Sequence, residues 1–279
     1  MSLTALERLD RRWIFLAVGL LVLGPLLRPL GLPLGTSAPV RQFHDTIAGI
    51  PDGSLVLVSC DFDPGGKPEL VPMTKTALRQ LWEKRCRLVI TCLWVGGPGL
   101  VGETLESVAD EFRAKGRPLE YGKDYVYLGF KAGYEAVMVL MGKGIAGAYP
   151  QDQRGNLVST LPLMRNVRDY SSFVLLVSIS AGYPGTKEWV QQVNLRFGLP
   201  MVSGCTAVSA PEYYPYLQSG QLSGLLGGMA GAAEYEKIRG EKGTATQGMD
   251  AQSLAHAFIA LCIVAGNLVQ WRKRRAAQS

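Results

Sequence analysis

The sequence predicts an α/β fold, a doubly wound parallel sheet in a three-layer sandwich, with a transmembrane helix at each end of the chain. Three observations carry this. Short runs apolar on both faces alternate with amphipathic helical patterns, as strands buried under helices require. A long stretch free of acidic and basic residues lies near each terminus. The formal charge of +6 also sits in the tails: residues 1–12 contribute +1, Arg28 another +1, and Arg272, Lys273, Arg274 and Arg275 +4. The remaining 21 basic and 21 acidic residues cancel (29 − 8 and 23 − 2). A neutral domain with basic tails argues against a nucleic-acid surface, which needs cations on a folded face, and fits charge flanking a membrane.

The first apolar segment, Trp13–Leu27, continues through RPLGLPLG, so the predicted span is 13–34, kinked at Pro25, with Arg28 snorkelling to the interface. A cleaved signal peptide competes with the anchor, GTSA at Gly35–Ala38 offering small residues for cleavage. The second segment, Leu254–Trp271, has no acid or base other than His256 and stops at RKRR, a stop-transfer pattern; the predicted span is 251–271. Small residues at Ala251, Ala255, Ala257 and Ala260 permit close helix packing. Basic tails prefer the cytoplasm. The expected order is therefore a cytoplasmic tail (1–12), first span (13–34), extracytoplasmic α/β domain (35–237), linker (238–250), second span (251–271) and cytoplasmic tail (272–279).

Between the spans, strands are predicted at Ser54–Phe62, Arg87–Val95, Asp124–Phe130, Phe173–Ser180 and Pro200–Val208, with QLSGLLGG (221–228) a sixth strand or a loop. Helices are predicted at Met73–Cys86 with Thr74 as cap, and at Leu100–Gly116. Further helices are predicted at Thr186–Gly198 with Thr186 as cap, from a Ser209–Glu212 capping box onward, and at Met229–Gly240. The expected architecture is flavodoxin-like. PEYYPYLQSGQLSGLL is loosely similar to the last helix–strand step of periplasmic-binding-protein lobes.

Ligands of such sheets bind beyond the carboxyl ends of the strands. That rule selects Asp61 and Asp63 after the first strand, Thr91 near the end of the second, Ser180 and Gly182 after the fourth, and Cys205 and Thr206 on the fifth. Paired aspartates there can hold Mg²⁺ or act as nucleophile and acid; Pro64-Gly65-Gly66 also makes them an ordinary Asx turn. Asp61-Phe62-Asp63 resembles the first motif of haloacid-dehalogenase-like phosphatases, and that resemblance implies a magnesium-dependent phosphatase. The later acidic residues of that family have no counterpart in Ser180–Gly185 or Thr206–Ala210. Ser178-Ile179-Ser180-Ala181-Gly182 is a degraded nucleophile elbow, but the only histidine after it is His256, within the predicted span. Backbone donors of AGYPGT, ahead of Thr186, offer an anion site or plain capping. Gly227–Ala233 lacks the Lys-Ser/Thr of a phosphate loop and reads as a packing stripe. Tyr213, Tyr214, Tyr216 and Trp189 read as core and surface aromatics.

Five cysteines without a CxxC spacing read as small buried hydrophobes, a Cys60–Cys92 disulfide being the alternative. With two histidines and no Cys/His cluster, a structural zinc site is not expected, and the sequence leaves any cofactor unidentified. The expected function is a membrane-anchored extracytoplasmic binding or scaffolding module. Its expected partners are the lipid bilayer and other membrane subunits or further copies of itself. The alternative is a membrane-tethered Mg-dependent hydrolase using Asp61 and Asp63.

Overall fold

The computed structural model describes residues 10–276; the predicted tails 1–12 and 272–279 lie partly outside them. The chain divides into two compact units, Gly35–Glu241 and the terminal segments Met1–Leu34 with Lys242–Ser279. The strands are β1 (Leu55–Asp61), β2 (Arg87–Cys92), β3 (Tyr125–Phe130), β4 (Leu175–Ser180), β5 (Met201–Cys205) and β6 (Leu225–Gly227). The helices among the described residues, in chain order, are α1 (Arg11–Leu27), α2 (Ala38–Gly49), α3 (Lys67–Glu83), α4 (Pro98–Ala114), α5 (Glu135–Lys143), α6 (Ile145–Ala148), α7 (Thr186–Trp189), α8 (Ala210–Gln218), α9 (Gly228–Ile238) and α10 (Thr244–Ala276). A π-turn, Val190–Asn194, prolongs α7 to Leu195–Phe197, and Gly198 then ends it at φ 67°.

The six strands form one all-parallel sheet in the order β3-β2-β1-β4-β5-β6. This Rossmann-like order replaces the flavodoxin-like one expected. β3 lies outside β2, and the long connection 131–174 carries the chain back to set β4 against β1, so the winding reverses between β1 and β4. Helices pack on both faces of the sheet. α3 covers the face carrying Val58 and Cys60, where Met73 approaches Gly204. Trp82 of α3 packs edge-on to Phe112 of α4 and to Tyr125 of β3. On the other face, Leu55, Leu57, Val89 and Val126 join a core with Met138 and Met141 of α5, Trp189 of α7 and Tyr213 of α8.

Three expected caps fail. α3 begins at Lys67, because Gly66 and Pro68 suit a helix start, and Thr74 sits mid-helix, its hydroxyl donating to the Leu70 carbonyl. Gly185, not Thr186, caps α7, with the Glu188 carboxylate accepting from the Gly185 N–H at 2.8 Å. Ser209 makes no side-chain cap bond; its hydroxyl meets that of Thr206. QLSGLLGG does supply a strand, β6. All five cysteines are free, so the Cys60–Cys92 alternative is set aside.

Edges of the sheet are blunted. Along β3, the Tyr127 carbonyl accepts from the Gln153 N–H at 3.0 Å and from the Tyr121 hydroxyl at 3.3 Å. Gly129 adopts φ 79° there, a conformation that strains any residue with a side chain. At the other edge, β6 is only three residues long, and α2 presses its backbone onto the preceding Gly224.

In the terminal unit, α1 stops at Leu27, and the predicted span to Leu34 is not helical throughout. Pro29 and Pro33 cannot continue a helix, and Gly31 turns at φ 69°. The helix α1 has 17 residues. At the usual rise per residue that makes it about 25 Å long. Among the described residues, one helix segment, Thr244–Arg275, is long and apolar enough to cross a membrane. It starts inside the stretch expected as linker. Half-buried Ile14, Ala17, Val18 and Leu21 on α1, and Ala255, Phe258, Cys262 and Ala265 on α10, recur at helical spacing where the two helices pack. The buried Asp250 carboxylate accepts from the backbone N–H groups of Leu30 and Gly31, each at 2.8 Å, and of Leu32 at 2.9 Å. This clasp sets the carboxyl end of α1 beside the amino-terminal part of α10, making the pair antiparallel.

An added Cβ at Gly224 would stand 2.3 Å from the backbone of Phe43. Gly224→Ala is therefore expected to lose about 3 kcal/mol by forcing α2 off β6. Gly49→Ala, which meets nothing within 4 Å, is expected to leave stability level or slightly raised. Paired thermal melts of the full-length variants check the contrast; equal losses would refute it.

Candidate functional site

The carboxyl ends of the strands carry polar groups in registered rows. Thr91, Ser59, Ser178 and Ser203 are consecutive partners across β2, β1, β4 and β5, and Asp61, Ser180 and Cys205 form the next row toward the edge. All seven are buried. Four of the predicted candidates, Asp61, Thr91, Ser180 and Thr206, thus belong to this end of the sheet, and their hydrogen bonds are made within the protein.

Asp61 is the centre of the arrangement. Its Oδ1 accepts from the Leu93 N–H at 2.7 Å; its Oδ2 accepts from the Ser59 hydroxyl at 2.6 Å and the Trp189 indole N–H at 2.8 Å. Burial pushes its carboxyl up to about 6, against the pull of those donors, and the nearby Glu188 adds to the rise. Both oxygens are occupied and the residue is fully buried. Its hydrogen-bonding capacity is directed at the protein itself. Asp63 is set apart on the following turn, where its Oδ1 accepts from Gly65 N–H at 2.9 Å and caps Pro64–Gly66, the Asx-turn role. Among the described residues, no group of three or more His, Cys, Asp or Glu side chains could hold a metal ion.

Ser180 accepts from the Thr186 N–H and pairs with the Thr186 hydroxyl, each at 3.2 Å, and Thr186 Oγ1 meets Ser203 Oγ at 2.5 Å. Of the AGYPGT donors, Thr186 N–H is thus taken by Ser180, Gly185 N–H by Glu188 and Ala181 N–H by the Asp61 carbonyl. Gly182 lies beside the Trp94 ring, whose indole donates to the Pro184 carbonyl at 2.8 Å. Glycine is needed where these loops close. A Cβ at Gly185 would stand 2.1 Å from the Gly182 carbonyl, and one at Gly97 would stand 2.6 Å from the Phe62 carbonyl. Trp94, Trp189 and their loops thus pack together at the reversal point between β1 and β4.

The opening lies to one side, at the end of β3. A cleft of about 440 Å³ is lined by Leu128, Phe130, Lys131, Tyr149 and Leu157, with the loop 150–153 as its far wall. Thr91 reaches it indirectly, its hydroxyl 2.6 Å from that of the buried Tyr149. The Lys131 ammonium lies 5.7 Å from the Tyr149 ring centroid, within cation–π range. Among the described residues it forms no ion pair. Asp152, the one acid on the wall, is spent on its own loop. It accepts from Arg154 N–H, Asn156 N–H, Asn156 Nδ2 and the Tyr121 hydroxyl, at 2.8 to 3.0 Å. Burial raises its carboxyl, but these donors outweigh that and hold it below the usual value.

Lys131 and Tyr149 are absent from the sequence-derived candidates. The strand-end rule applied to β3 selects Lys131, the residue directly after Phe130; Tyr149 lies in a connection with no periodic signal.

The fold is a Rossmann-like α/β domain with a cleft at the end of β3, to one side of the winding reversal. No protein-family model and no curated protein matches the chain. Among solved structures, it is similar to a trehalose-6-phosphate synthase, OtsA, at 12% identity and a TM-score of 0.31, over 92% of this chain and 48% of that one. It is also similar to the α,α-trehalose 6-phosphate synthase from Burkholderia multivorans, at 13% identity and a TM-score of 0.31, over 94% and 49%. The chain spans about half the length of those proteins.

The raised Asp61 carboxyl has a measurable consequence. The folded state holds this proton more tightly than the unfolded chain, so ionisation drains stability as pH rises from 3.8 to about 6. That interval corresponds to about 3 kcal/mol at about 1.4 kcal/mol per pH unit. Asp61→Asn lacks this fall, yet sets an amide N–H₂ against donors. A protonated carboxyl can turn its O–H toward Ser59 and still accept from Trp189; an amide nitrogen cannot. The variant is expected to be less stable by roughly 2 kcal/mol at pH 4, with the gap narrowing toward pH 7. Unfolding midpoints measured for both proteins across that range check this; a gap independent of pH would contradict it.

Proposed function

We propose that the protein is a membrane-anchored binding module, an α/β domain held outside the cytoplasm by two terminal helices and contributing to a membrane complex. The observation that carries the reading is the apolar surface of α10. Ile259, Leu261, Ile263, Val264, Leu268 and Trp271 are exposed, a set of side chains far more stable in lipid than in water. The basic run Arg272–Arg275 follows at once, as in a span halted at the cytoplasmic face.

Support for a second span comes from α1. It also exposes Trp13, Phe15, Leu16, Leu20 and Leu23, and it packs antiparallel to α10. An antiparallel pair returns both chain ends to one side, as two basic tails demand. A helix of about 25 Å is short for a hydrocarbon core of about 30 Å, a mismatch that local thinning and interfacial Trp13 and Arg28 can absorb. The outward faces left by the pair are available to other subunits or a second copy. A zero-charge domain gives no support to nucleic-acid binding. The hydrolase alternative is not carried forward, because Asp61 is sealed among three donors and Asp63 is turned into a separate cap.

Carbonate washing is expected to leave the full-length protein in the membrane pellet, and removal of Thr244 onward to weaken that retention. Protease applied to intact cells is expected to cut within 35–241 while sparing a tag placed after Ser279. Release by carbonate, or a domain inaccessible from outside, would overturn the topology.

A further inference from the structure

We propose that the cleft at the end of β3 binds a small organic anion, with its acidic group against Lys131 and its apolar body on Phe130 and Leu157; this deepens the binding-module reading and rests on it. The argument begins with charge. Lys131 directly follows β3 and has no carboxylate within ion-pair distance among the described residues, and the facing Asp152 already receives four hydrogen bonds. A cation beside a cavity wall, with the local acid committed elsewhere, is completed by an anion from outside.

Shape and lining set the rest. The cleft holds about 440 Å³. That volume lies in the range of small-molecule sites, and the lining is mixed, with Leu128, Phe130 and Leu157 beside Lys131, Gln151, Asp152 and Gln153. Leu157 is 54% exposed at the mouth, while Leu128 and Tyr149 are buried at the back. Gln151 and Gln153 add amides that can donate to a second oxygen of the acid. The cleft also opens where the parallel sheet ends, the place to which such folds bring their ligands. Here the strand end of β3 is approachable from outside.

Full-length protein in lipid nanodiscs can be tested with three fluorinated probes of one size: 4-fluorobenzoate, 4-fluorobenzyl alcohol and 4-fluorobenzylamine, each compared with empty nanodiscs by ¹⁹F line broadening. The benzoate is expected to bind most tightly. Its affinity should fall roughly tenfold or more in Lys131→Met, the loss of one charge-assisted contact. It should be largely retained in Lys131→Arg and abolished in Leu157→Trp, which fills the mouth. Unchanged benzoate affinity in Lys131→Met, or no benzoate binding at all, would overturn the proposal. Equal binding of all three probes, still blocked by Leu157→Trp, would remove the anion and leave a binding module. Release of the protein by carbonate would remove the membrane reading without touching the probe result.

Discussion

A carboxylate buried without a cation is the constraint on which the centre of this fold depends. Asp61 ends β1, and its three donors come from β1 itself, from the chain leaving β2 and from α7. Strand, neighbouring strand and covering helix are therefore referenced to one group whose charge has no solvent to screen it. Three donors, a hydroxyl, an amide and an indole, offset part of the cost of burying that charge, and the remainder leaves the carboxyl raised. Because those partners must stay in place, the region between β1 and β4 cannot open for a ligand without leaving a charge stranded in the core.

That closure explains the division of labour among the strand ends. In a doubly wound sheet the winding reversal is ordinarily the place of binding. Here Trp189 and Trp94 occupy it, glycines at 97 and 185 let the loops close down on it, and the accessible volume moves outward to β3. Polar residues near the ends of strands thus have two fates. Asp61, Ser180 and Thr186 bind the protein to itself. Lys131 keeps its charge free.

Much of this was legible in the sequence and some was not, for physical reasons that differ. Strands such as Leu55–Asp61 and Leu175–Ser180 announce themselves because a parallel strand buried on both faces is apolar or hydroxyl-bearing throughout. Their order is not encoded in that periodicity; it depends on where the chain goes between 131 and 174, a stretch of short turns with little repeat. Thr74 and Thr186 have the chemistry of caps, but glycine and proline upstream move the helix starts. The helix α2 carries its apolar Val40, Phe43 and Ile47 at helical spacing after Ser37 and so was open to the same reading as its neighbours. The site was half legible. Asp61, Thr91 and Ser180 are brought to one end of the sheet by position alone, while their being consumed depends on a tryptophan 128 residues distant in the chain. No local pattern records that.

The covered flank of β3 bears on assembly. With the Gln153 amide and the Tyr121 hydroxyl already on the Tyr127 carbonyl, and with β6 only three residues long, neither side of the sheet offers a template on which another chain could lay a strand. Growth of the sheet by strand addition is thereby disfavoured at both edges, which leaves helix side chains rather than backbone as the surface another chain would meet.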